Sequence, residues 1–176
     1  MVRDVARFSD TRTIICCLVP PGVTGIEKAP YLLRRSGSAR DEAYLLGVMS
    51  SRIFDWFARC LVELSVTKGL LHSLPVPVVE DGNELKKMLI DASGRLAAVD
   101  SRFSIWANEV GVEVGSVTTE SERQFLIEQI DAIVAHFFEL SVPEVELIFS
   151  TFHRGWDYEL HLANVKRIYG QLAQAR

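Results

Sequence analysis

The change of texture at Glu80-Asp81-Gly82-Asn83 constrains this chain more than any other feature. Beyond it, apolar residues recur at helical spacing to the end of the sequence. Leu85, Met88-Leu89, Ala92, Leu96 and Val99 form the stripe of a long helix from Glu84 to about Phe103, with Gly94 as a soft spot. Gly111 to Gly115 reads as a connector. Thr119 with Glu122 is a capping-box signature opening a helix to about Glu139. Ser141 with Glu144 repeats that signature for a short helix to Ser150, and a last helix is expected from about Asp157 to Ala175.

Ahead of that boundary the pattern is mixed. Thr11 to Val19 is rich in β-branched residues and stops at Pro20-Pro21-Gly22, which predicts a strand. Ala29 to Leu33 and Leu61 to Val66 predict two more. Ser38 with Asp41 predicts a helix N-terminus, followed by a widely apolar run to about Arg59 that reads as a buried helix. Thr67-Lys68-Gly69 reads as a turn or loop, and the prolines make Leu74 to Val79 extended. The expected fold class is therefore α+β: a small mixed sheet with a buried helix over residues 1–79, then a mostly α-helical tail over 80–176. No internal repeat is present.

Composition bounds the function classes. Hydrophobic residues make up 48% and charged residues 24% of the 176, which is the balance of an ordinary globular protein and not of a disordered one. The longest apolar run, Ile14-Ile15-Cys16-Cys17-Leu18-Val19, is strand-sized, and no signal-peptide pattern follows Met1, so a cytoplasmic protein is expected. Cys16, Cys17 and Cys60 have neither metal-ligand spacing nor an even count for an oxidised framework. The net charge of −4 is unevenly placed. Residues 1–79 hold ten basic against seven acidic residues, +3, and residues 80–176 hold nine against sixteen, −7. A phosphate-facing surface would therefore lie in the front half.

The common catalytic signatures are missing: no G-x-G-x-x-G, P-loop, H-E-x-x-H or G-x-S-x-G. His153 lies in Thr151-Phe152-His153-Arg154-Gly155-Trp156-Asp157-Tyr158. There a His–Asp pair could act as a general base with its orienting carboxylate, but Gly155 ending one helix and Asp157 capping the next explain the same residues. His72, His136 and His161 have no partner at a meaningful sequence spacing. A helix-turn-helix built from the Thr119 and Ser141 helices is rejected, because the second helix is apolar and acidic where base-reading needs Arg, Lys, Asn or Gln. Loop cations of the front half are the better candidates for nucleic-acid contact: Arg12, Lys28, Arg34, Arg35 and Arg40, with Thr67 and Lys68.

Three stretches together carry a resemblance: Arg7 to Ile15 with Leu18-Val19-Pro20-Pro21-Gly22; Asp41 to Ser51 with Phe54 to Arg59 and Leu74-Pro75-Val76-Pro77; and Phe152-His153-Arg154-Gly155-Trp156-Asp157-Tyr158. They resemble the C-terminal region of type IIG-like restriction–modification proteins, in which an N6-adenine DNA methyltransferase is fused to its target-recognition domain. The helix, strand and Pro-x-Pro exit (Pro75, Pro77) are also similar to the recognition domains of type I specificity subunits. The resemblance implies a chain that is not itself an enzyme but reads a target in double-stranded DNA. It implies partnership with an upstream methyltransferase domain that holds S-adenosylmethionine, since neither an Asn-Pro-Pro-aromatic motif nor a cofactor loop occurs here. The tail would dock on that domain or on another copy of the chain. The rival readings are a helical protein–protein module, and a small hydrolase using His153 and Asp157.

Overall fold

The computed structural model describes residues 1–7, 10–26, 28–152 and 157–174. The first helix, α1 (Ala39–Ser50), begins where the sequence places it. Asp41 N lies 3.4 Å from Ser38 Oγ, and the Asp41 carboxylate accepts from Ser38 N at 2.7 Å, so two orphan donors are satisfied reciprocally. The apolar run does not continue as one helix. Ser51 adopts an extended conformation, and its hydroxyl accepts from Phe54 N, opening α2 (Arg52–Leu61). Thr67 caps a short helix, α3 (Lys68–Ser73), where the sequence predicts only a turn. Residues Leu74 to Val79 are extended, and Tyr44 Oη donates to Pro77 O at 2.7 Å, fastening that stretch to α1.

The back half is helical, with one element more than the pattern indicates. After α4 (Glu84–Ala97), a 3-10 turn at Ser101–Phe103 leads into α5 (Ser104–Val110), which ends at Gly111 in the left-handed conformation at φ 92°. Then come α6 (Glu120–Phe137), α7 (Val142–Ser150) with Ser141 and Glu144 in a capping box, and α8 (Glu159–Gln174). Helix α1 packs on α4, α4 on α6 and α6 on α8. One apolar cluster runs through Val2, Ile53, Phe54, Leu89, Ile133, Phe149 and Val165. At about 1.5–3 kcal/mol for each large side chain removed from water, this cluster is what holds the helices together. Gly47 lets α1 approach α4 closely, since a Cβ there would meet Leu89 at 2.9 Å.

The α+β expectation is overturned. The structure is 57% helix and 2% strand, and no sheet forms among the described residues. The reason lies in where the backbone donors of the β-branched run go. Thr13 N and Ile14 N donate to the carboxylate of Asp55 on α2, not to a neighbouring strand. That leaves Thr11 to Val19 with a single antiparallel bridge, Val2 to Cys16. Leu61 belongs to α2, and the stretch after it makes one bridge, Val5 to Ser65. Near Ala29 the Lys28 and Pro30 carbonyls accept from Asp4 N and Val2 N, while Ala29 N turns back to Ile26 O, and no bridge forms there among the described residues. The extended residues form a layer laid over helices and do not make a ladder of their own.

Candidate functional site

Described residues of the first two stretches that carry the resemblance meet in space with Phe152, the first residue of the third. Asp55, fully buried, accepts from Thr13 N at 2.9 Å and from Ile14 N at 2.5 Å, and lies 3.8 Å from Arg12 Nε. Arg12 Nη2 donates to Ser50 O at 2.6 Å, at the end of α1. Arg59 donates to Asp10 O, and its guanidinium stacks 4.2 Å from the centre of the Phe152 ring. Arg52 covers the same ring at 5.2 Å. Burial pushes the Arg52 pKa down to about 10, with the Arg12 charge adding to the effect and Asp131 and Asp55 opposing it. Burial likewise holds the Asp55 carboxyl above its ordinary range, against the pull of Arg12 and the two backbone donors. This cluster binds the front of the chain to α2 and to the segment after α7. Its groups face one another, so its chemistry is that of an anchor.

A second polar cluster lies between α6 and α8. Asp131 accepts from Arg52 N at 2.6 Å through Oδ1, and its Oδ2 lies 2.7 Å from His161 Nε2. His161 Nδ1 lies 2.8 Å from Gln124 Nε2, while Glu128 accepts from Gln124 and from Asn164 at 3.0 Å each. The His161 ring stacks on Phe149. A His–Asp pair at this distance has the geometry of a general base, yet His161 is 6% exposed and Asp131 1%, with every facing group already hydrogen-bonded. Sequence spacing misses the pair because the two residues are thirty positions apart. The only local signal is a charged residue on the apolar stripe of α6. His136 is a packed residue too, stacked on Tyr169 at 3.8 Å.

The loop cations named from the sequence divide into two kinds. Arg12 and Arg40 are structural: Arg12 is held by the cluster above, and Arg40 Nη1 donates to Val110 O at 2.7 Å, closing the C-terminus of α5. Thr67 is the α3 cap. Lys28 pairs with Asp4 at 3.3 Å and Arg34 with Glu42 at 3.3 Å, both near the surface. Arg35 and Lys68 are exposed and make no side-chain bond to any described residue. Among the described residues they are the two members of the set whose side chains have no partner. Pro75 is exposed and Pro77 half-buried. His153, Gly155 and Trp156 lie outside the described residues. Asp157 is exposed and accepts from Glu159 N at 3.2 Å, near the start of α8.

The extended layer leaves clefts on both sides of Cys16 to Leu18. One of about 350 Å³ opens toward α4 and α6, and one of about 280 Å³ toward Leu32, Leu33 and α1. Burial raises the Cys16 thiol, a weak nucleophile's setting, with Ser50 Oγ 3.6 Å away. No group of three metal-ligating side chains occurs among the described residues. No described helix is long and apolar enough to cross a membrane. No protein-family model, curated protein or solved structure matches the chain.

Proposed function

We propose that this chain is the non-catalytic, DNA-reading end of a cytoplasmic restriction–modification protein, working beside a methyltransferase domain that holds S-adenosylmethionine. One observation carries the reading. Described residues of the first two stretches, and Phe152 at the start of the third, meet in a single buried cluster around Asp55 and Arg59, which supports reading them as parts of one folded unit. That cluster fastens the extended front layer to α2 by hydrogen bonds, the kind of scaffold that loops contacting a duplex need. The exposed Arg35 and Lys68 then supply phosphate contacts, and base reading falls to neighbouring polar groups. Exposed Leu147 and Leu160 on the helical tail favour docking of that tail on the methyltransferase domain or on another copy.

The test is a gel-shift series on duplex DNA with the chain joined to its methyltransferase domain. Replacing Arg35 or Lys68 by Ala is expected to weaken binding across all sequences and to lower the salt slope by about 1 for each lost phosphate contact. Unchanged affinity and slope in the double variant would remove both residues from the interface. Absence of any DNA affinity in the joined protein would remove the function.

A further inference from the structure

We propose that the cleft between Cys16–Leu18 and helices α4 and α6 is a binding site for a small amphipathic carboxylate. Its volume, about 350 Å³, lies at the lower end of the range for small-ligand sites, about 300–1,000 Å³. That size suits a medium-length acyl chain or a single ring system. The floor is apolar and comes from three helices: Leu46 of α1, Leu96 of α4, and Ile127 and Ile130 of α6, with Phe103 at one end. Leu18 packs against the small cluster that contains Phe103 and so closes that end.

The charges around the cleft choose the ligand's sign. Among the described residues, its charged lining consists of Arg12 and Arg123, with no carboxylate. In a chain of net charge −4 this is a local reversal. Arg12 is already compensated by the Ser50 and Ser51 carbonyls and by Asp55. Arg123 is exposed, and its guanidinium has no partner among the described side chains. A planar guanidinium beside a wet apolar cleft matches a carboxylate in geometry and charge, while the ligand's hydrocarbon displaces water from the floor. A neutral ligand would leave Arg123 unused, and a cationic one would face two guanidinium groups.

Titration with decanoate, decanol and decyltrimethylammonium, followed by calorimetry, tests the assignment on the intact chain. Decanoate is expected to bind saturably, decanol about tenfold more weakly, the equivalent of one charge-assisted hydrogen bond, and the ammonium not at all. Arg123→Gln, an exposed replacement that leaves the core intact, should bring decanoate down to the level of decanol and leave decanol unchanged. Ala97→Phe, which projects a ring into the cleft, should abolish both, with circular dichroism checking that the helices persist. Equal affinity for decanoate and decanol overturns the proposal. So does an Arg123→Gln variant that binds decanoate as well as the parent chain, or no saturable binding below the concentration at which decanoate forms micelles.

Discussion

Replacing Asp55 by Ala tests what holds the front of the chain. The carboxylate is fully buried and accepts from Thr13 N at 2.9 Å and 3.2 Å and from Ile14 N at 2.5 Å. Removing it orphans two buried backbone donors, at about 1–3 kcal/mol each, and leaves Arg12 without its counter-charge. The expected loss is therefore about 2–6 kcal/mol, most of it from the two donors, because Arg12 lies 3.8 Å away and is partly exposed. Asp55→Asn keeps one oxygen for the backbone donors and should cost about 1–2 kcal/mol. Arg12→Ala should cost less than half of what Asp55→Ala does, since Arg12 is partly exposed and the Ser50 carbonyl it leaves can take water. Urea unfolding gives the magnitudes. Trypsin gives the location, because the loss should open the Arg12–Thr13 bond to cleavage while the helices survive. Should Asp55→Ala stay within about 1 kcal/mol of the parent chain, or Arg12→Ala equal it, the anchoring argument fails.

Two further outcomes follow from local geometry. Gly47→Ala would set a Cβ 2.9 Å from Leu89 and 3.2 Å from the Ser93 side chain, so Leu89 must repack or α1 and α4 must separate; thermal unfolding should show a loss of about 1–3 kcal/mol, and a neutral result would mean the contact yields freely. Hydrogen bonds from Ser38 and Ser141 hold the Asp41 and Glu144 carboxyls below their ordinary range, so their capping stability is complete above that range and is lost as the pH falls through the lowered values. An Asp41→Asn, Glu144→Gln double variant should show a shallower loss of helical circular dichroism in acid, and an unchanged acid limb would exclude the caps as its cause.

What the sequence made legible was local. The Ser38, Thr119 and Ser141 caps lie within three residues of the groups they serve, and the helices begin there. The fold class was misread because Thr11 to Val19 has strand composition, while the acceptor of its donors sits forty-two residues away from Thr13 on a helix. Nothing near Asp55 announces that role: it stands between Phe54 and Trp56 in an apolar helical run. The intramolecular partners of the candidate DNA-contact residues are hidden for the same reason. A loop position marks a cation as exposed, but it does not reveal Asp4 beside Lys28, Glu42 beside Arg34, or the α5 carbonyl that takes up Arg40. Arg123 stands on a helix in the acidic half, where sequence position gives no sign of the cleft beside it.

The two polar clusters are one device seen from its two ends, and α2 is the part they share. Asp55 reaches from α2 to the extended front layer, while the first backbone N–H of α2, that of Arg52, is taken by Asp131 of α6. Asp131 is held in turn by His161 of α8, and Arg52 and Arg59 both rest on Phe152. Apolar packing alone would let α2 slide or rotate at small cost, since hydrophobic contact is not directional. Buried hydrogen bonds to named atoms fix its register, because each displaced donor costs its full desolvation. The helical tail is thereby made to specify where the front layer sits, across a hundred residues of sequence. A layer with no ladder of its own depends on that support for any fixed arrangement of its loops.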